Sequence, residues 1–279
     1  MDMDFNKVTR LQKDIRQAAS TLSKTEARYL VDCYYQTQEH RIATAAQSRT
    51  LSKSGEPNAV IDYLTGELSV LENEIKKALQ TYAENDPVGR WSLSVCGIGP
   101  VLAAGLLAHI DIEKAPTAGH IWSFAGLEPN TKWEKGQKRP WNASLKVICW
   151  KIGQSFVKVS SNDKDIYGKL WKDRKEYEMA KNEAGDYAEQ AALKLTQFKI
   201  GKDTEAYKWY AQGKLPPAHI QQRTERYATK IFLAHWQHVA YFERYGSDPP
   251  KPYAIAILGH AHEILVPNYV KYEEDTYAN

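Results

Sequence analysis

The chain has 279 residues, is 43% hydrophobic and 25% charged, and carries a formal net charge of +3. That length supports one large or two modest domains with real cores, and the composition is that of a globular protein. No apolar run is long enough to span a membrane, Met1 to Arg16 lacks the apolar core of a signal peptide, and Cys33, Cys96 and Cys149 stand far apart in apolar surroundings. These features predict reduced thiols in a cytoplasmic protein without membrane contact, and argue against a disulfide framework or a zinc ribbon.

Helices dominate the N-terminal third. Leu11 to Leu22 is amphipathic, and Ser23-Lys24-Thr25-Glu26 offers a helix start. A helix from Ala27 to about Leu51 comes next, with Leu30, Cys33, Tyr34 and Ile42 marking one face. Lys53 to Asn58 reads as a turn. From Val60 to Glu84, Ile61, Leu64, Leu68, Leu71, Ile75 and Leu79 recur at intervals of three and four, which predicts another helix. These helices are expected to pack on the centre of the chain or to form a hairpin that pairs with a second copy.

The centre carries the most informative pattern. Asp86-Pro87 reads as the cap and first residue of a short helix, with Trp91 and Val95 on one face. Cys96-Gly97-Ile98-Gly99-Pro100 then leads into the apolar run Val101 to Ala108. Glycines permit the positive φ of a tight hairpin and a close backbone approach, and Pro100 suits a first helical position. The uncovered amides at such a start form an anion site. Helix, Gly-x-Gly turn and helix together make a helix-hairpin-helix, a grip for the phosphate backbone of nucleic acid.

The segment from 132 to 158 is basic. It holds Lys132, Lys135, Lys138, Arg139, Lys146, Lys151 and Lys158 against Glu134 alone, a local net charge of +6 in a chain whose total is +3. A local basic patch is the electrostatic footprint of a polyanion partner. Trp133, Trp141 and Trp150 interleave with it and are read chiefly as core residues. Leu145, Ile148, Cys149, Ile152, Phe156 and Val159 form one helical stripe, and Lys146, Lys151 and Lys158 fall off it. Ser144 reads as a helix cap.

Beyond 160, Asp163 to Tyr187 reads as a charged helix, about 200–218 as a loop-rich insertion, and Gln221 to Tyr245 as a helix. His235 and His238, with His260 and His262, are residue types that bind zinc. However, Tyr227, Ile231, His238, Tyr241, Phe242 and Tyr245 share a stripe, which predicts His238 as a buried, hydrogen-bonded histidine. His-x-His side chains also diverge, so neither a metal site nor a cofactor is expected. Asp248 to Tyr253 reads as an extended tract that wraps back over the core, and Glu273-Glu274-Asp275 as a tail.

Gly97-Ile98-Gly99-Pro100, then Phe124-Ala125-Gly126-Leu127-x-Pro129, then a Lys/Gly loop and an apolar helix, resemble the C-terminal domain of the transposases of a large bacterial insertion-sequence family. The resemblance covers about residues 90–160. It implies a helix-hairpin-helix domain that, in the family, contains a nucleophilic serine just before a glycine in the loop after Gly-Leu-x-Pro. Here Lys135 precedes Gly136. The family's N-terminal nuclease domain should begin with an apolar strand bearing an aspartate, and residues 1–90 show no such pattern.

The expected fold is therefore mainly α, a helical bundle around a helix-hairpin-helix module, organised as 1–85, 86–160 and 161–279. The expected function is DNA binding by a transposase-derived protein of a mobile genetic element, which grips the phosphate backbone, with structured or branched DNA among the candidate forms, without intact serine recombinase chemistry. Its expected nucleic-acid-binding residues are Gly97, Ile98, Gly99, Lys132, Lys135, Lys138, Arg139, Lys146 and Lys151, and no catalytic residue is assigned. Backbone amides and lysines read phosphates rather than base identity. Two alternatives stay open: an active recombinase or nuclease with another nucleophile or a metal, and an assembly protein that reuses the hairpin as a protein contact. Homo-oligomerisation through the N-terminal helices stays open beside packing of those helices on the centre of the chain.

Overall fold

A computed structural model describes residues 10, 12–128, 131, 133–250 and 264–269. Leu11, Pro129, Lys132, residues 251–253, His260, His262 and the acidic 273–275 lie outside the described residues. Among the described residues there are eleven α-helices, two 3₁₀ turns and no strand, as the mainly α expectation requires. None of these helices is long and apolar enough to cross a membrane. The contacts divide into two compact units, Met1–Ser94 with Ile98–Glu113, and Val95–Gly97 with Lys114–Asn279.

The first unit holds α1 (Lys13–Ala18), α2 (Lys24–Lys53), α3 (Ala59–Glu84), α4 (Pro87–Ser94) and α5 (Pro100–His109). Its helix starts are local chemistry. The Ser23 hydroxyl accepts from the Glu26 amide while the Glu26 carboxylate accepts from the Ser23 amide, a reciprocal capping box for α2. The Asn58 side chain accepts from the Val60 and Ile61 amides and caps α3. Helices α2 and α3 pair antiparallel, and α5 packs on both. That position explains why α5 is apolar all round: Ala103, Ala104, Leu106 and Ala108 are fully buried. Val31 of α2, Leu79 of α3 and Val101 and Ala104 of α5 form one core cluster. The C-terminal carbonyls of α5 are covered by α2 cations. Arg28 Nε donates to Ala108 O at 2.8 Å and Lys24 Nζ to Ile110 O at 3.1 Å.

The second unit holds α6 (Ala118–Phe124), α7 (Ala143–Val159), α8 (Tyr167–Glu183), α9 (Ala188–Gln197), α10 (Glu205–Ala211) and α11 (Pro217–Tyr245). Within the segment expected to be loop-rich, Glu205–Ala211 form α10, capped by the Thr204 hydroxyl on the Tyr207 amide. Helix α11 runs through the unit and packs on α6, α7 and α8. Phe156, Tyr167 and Phe232, one from each of α7, α8 and α11, meet with ring centroids 4.9–5.5 Å apart. The fully buried Glu178 carboxylate is held by Arg174, Arg223 and the Tyr187 hydroxyl.

The buried stripe of α11 is Ala228, Phe232, His235, Trp236 and Val239, displaced from the one read in the sequence. The buried, hydrogen-bonded histidine is accordingly His235, not His238. Tyr167 Oη lies 2.7 Å from His235 Nδ1, and His235 Nε2 lies 2.8 Å from the Ile264 carbonyl. A carbonyl only accepts, so Nε2 carries the proton and Nδ1 accepts from the tyrosine. His238 is half-exposed and faces Asp248 at 3.2 Å. Among the described residues no group of three or more His, Cys, Asp or Glu side chains converges on a metal-sized site.

Candidate nucleic-acid interface

The hairpin glycines play different roles. Asp86 caps α4 as expected, accepting from the Val88 and Gly89 amides at 2.8 and 3.2 Å. Gly97 has φ +92, and an added Cβ would meet Val159 Cγ2 at 3.1 Å and Phe156 Cδ1 at 3.2 Å. Its carbonyl accepts from the Ser155 hydroxyl of α7. Gly99, by contrast, is extended, with φ −95 and ψ 175, and a Cβ there would meet nothing within 4 Å. The positive φ expected of both glycines is thus needed only at Gly97. Gly99 is the N-cap of α5, and with Pro100 at the first position the Val101 and Leu102 amides are left without intrahelical partners. The Ile98 side chain is buried, which leaves only its backbone for a ligand.

In the second unit, the described residues among 125–142 form the basic loop. The Asn142 amide donates to Phe124 O at 2.8 Å and so closes the loop's base. Asn142 also caps α7 through the Leu145 amide, which leaves Ser144 inside the helix and exposed rather than at the cap. Gly126 has φ +64, and an added Cβ would lie 2.7 Å from Trp141 Cγ. The Gly126-Leu127 step therefore exists to let an indole lie on the chain. Within the loop, Gln137 N donates to Glu134 O at 3.2 Å and closes a turn over Lys135 and Gly136. Trp133 Nε1 donates to Gln137 O at 2.8 Å and braces that turn.

The tryptophans read as core are at the surface. Trp133 is 38% and Trp150 57% exposed, and Trp141 is half-buried. Instead of filling a core, the indoles carry cations. Arg139 Cζ lies 5.3 Å from the Trp133 ring centroid and Lys146 Nζ 4.1 Å from that of Trp141. The two rings meet edge to face at 6.3 Å. A third pair lies beyond the expected residues: Lys230 Nζ of α11 is 4.1 Å from the Trp122 centroid, and Trp122 Nε1 donates to Lys230 O at 3.1 Å. Each pair fixes a cation without neutralising it.

These cations feel one another. Burial, then Arg226 and Arg139, pull the Lys146 ammonium below the usual lysine range. Partial desolvation and then Arg226 do the same to Lys230, against which Glu128 acts. Arg226 is itself held down by desolvation and then by Arg223. Among the described residues no carboxylate forms an ion pair with Arg139, Lys146, Arg226 or Lys230. Arg223 is different, because its charge is committed to Glu178. Like charges gathered in this way are a cost that a bound anion would reduce.

Residues 93–146 match the family described as Transposase IS116/IS110/IS902 family. That stretch is similar to a domain of those transposases. No curated protein and no solved structure matches the chain. The matched stretch contains the α4–α5 turn, α5, α6, the basic loop and the first residues of α7. Of the expected binding residues, Gly97, Lys135, Lys138, Arg139, Lys146 and Lys151 belong to the second unit, and Ile98 and Gly99 to the first. Lys135 and Lys138 are exposed on the loop. Arg226 and Lys230 were missed. Their signal is present as Arg223, Arg226 and Lys230, spaced three and four on one face of α11.

Proposed function

We propose that this protein binds DNA through its phosphate backbone, as a cytoplasmic, transposase-derived component of a mobile element. The observation that carries the reading is the basic loop of the transposase domain, in which Arg139 and Lys146 rest on indoles and carry no counter-charge among the described residues. The loop lysines of the second unit supply phosphate contacts, and in the first unit the amides at the start of α5 offer phosphate contacts of their own, so sequence preference is weak. Lys135 stands where the resembling transposases place a serine, so the proposal includes no serine recombination. The test is a gel-shift series with duplex, branched and single-stranded DNA, with and without Mg²⁺, alongside an assay for covalent protein–DNA adducts. Binding without an adduct supports the reading. An adduct lost in Ser144→Ala would establish the recombinase alternative instead.

We also propose self-association through α2 and α3. Val60, Leu64 and Leu71 of α3, spaced four and seven apart, are 65%, 44% and 38% exposed, an apolar seam that fits a second copy of the hairpin. Light scattering should show a multimer that Leu64→Glu/Leu71→Glu reduces to monomer. A monomeric wild type would sink this part.

A further inference from the structure

We propose that Lys146 and Trp150 of α7, with Arg226 and Lys230 of α11, form a binding site for an unpaired DNA strand, the cations holding its phosphates and the Trp150 indole stacking on a base. The proposal rests on the DNA-binding reading above and adds a strand form and a surface to it.

Three observations converge. Lys146 and Trp150 stand one helical turn apart, which places them as neighbours on α7. Arg226 and Lys230 are likewise one turn apart on α11, which packs on α7. The packing of α11 on α7 sets the two rows on neighbouring helices, and burial, then Arg226, lowers the Lys146 ammonium in keeping with that placement. Second, Trp150 is 57% exposed against 38% for Trp133, and Val147 beside it is 50% exposed. A helix that buries Leu145, Ile148, Cys149 and Ile152 on its inner face has no packing reason for a bulky indole on its outer one. Third, Lys146 and Lys230 are each fixed on an indole, Trp141 and Trp122, so their charges are positioned before any ligand arrives.

The strand form comes from the chemistry. Phosphates alone are served by lysines and arginines. An exposed indole adds affinity only when a base offers its face, and in an intact duplex those faces are covered by neighbouring base pairs. Aromatic side chains within a cationic groove are the usual solution for single strands, and stacking tolerates any base.

The test uses the full chain and fluorescence anisotropy with labelled oligo(dT) and a duplex of the same length. Circular dichroism verifies that each variant is folded. Trp150→Ala should weaken oligo(dT) binding about tenfold and leave duplex binding unchanged, while Trp150→Phe should restore most of the loss. Arg226→Glu/Lys230→Glu should weaken oligo(dT) binding and make the slope of log affinity against log salt shallower by about 1–2. Wild-type oligo(dT) affinity in both variants, equal loss of duplex and oligo(dT) binding in Trp150→Ala, or no oligo(dT) binding by the wild type would each overturn the site. Lys135→Glu/Lys138→Glu/Arg139→Glu separates the two readings. Duplex binding lost in that variant, with oligo(dT) binding untouched by the α7 and α11 changes, rejects this site and keeps the backbone reading. The reverse result rejects the loop and keeps this site.

Discussion

The Lys146 ammonium lies 4.1 Å from the centroid of the Trp141 ring, and that ring lies on Gly126, where a Cβ would come within 2.7 Å of Trp141 Cγ. The position of a surface charge thus depends on a glycine twenty residues earlier in the chain. Gly126→Ala, which also forces φ +64 on an alanine, should cost about 1–3 kcal/mol in urea unfolding and weaken DNA binding with it. Unchanged stability and binding would show that Trp141 can move without consequence.

The two hairpin glycines should separate cleanly. Gly97→Val meets both a φ of +92 and a wall of α7 side chains, and should cost about 2–4 kcal/mol. Gly99→Val meets neither and should stay within about 0.5–1 kcal/mol of wild type. Thermal melts of the pair measure the difference. Equal losses would contradict the assignment.

Glu178 is a carboxylate without solvent, kept ionised by Tyr187, Arg223 and Arg174 against the cost of burial. Glu178→Gln keeps the shape and removes the charge that two guanidiniums need. A loss of about 3–5 kcal/mol is expected in denaturant unfolding. A loss below about 1 kcal/mol would mean that the arginines find solvent or other partners.

The parts legible in the sequence are those fixed by neighbours in the chain. Ser23 with Glu26, Asp86 with Pro87, and Pro100 at the head of α5 are caps whose chemistry acts within one turn, and each falls at the helix start it predicts. The inner face of α7 was legible for the same reason, because a period of 3.6 sorts Leu145, Ile148, Cys149, Ile152 and Phe156 together. Trp133 and Trp141 sit in a loop with no period to sort them, so their surface position emerges only from Gly126 and the Gln137 carbonyl. On α11 aromatic residues lie on several faces, and the visible stripe was the outer one. The contribution of Arg226 and Lys230 depends on α11 packing against α6 and α7, a contact between segments some eighty residues or more apart in the chain.

His235 gives a pH signature. Burial pushes its imidazole down to about 4, so the folded protein binds fewer protons than the unfolded chain between that value and the ordinary histidine range. Stability from this group is therefore complete above about pH 6.5 and is lost as pH falls toward 4. Between pH 7.5 and 5 the loss should be about 2 kcal/mol by urea unfolding. His109 and His219, also lowered by burial, act in the same direction, so the comparison is with His235→Gln, which should be less stable at pH 7.5 and show a shallower pH dependence. An unchanged slope in that variant would remove His235 from the account.

The basic loop between α6 and α7 is proposed to hold DNA by its phosphates. The most direct test is duplex affinity as a function of salt for the wild type and for Lys135→Glu/Lys138→Glu/Arg139→Glu. With about four to six phosphates neutralised, log affinity should fall against log salt with a slope of about −4 to −5. In the triple variant affinity should drop for all sequences alike and the slope should become shallower by about 3. Wild-type affinity and slope in the triple variant would mean that DNA is held elsewhere.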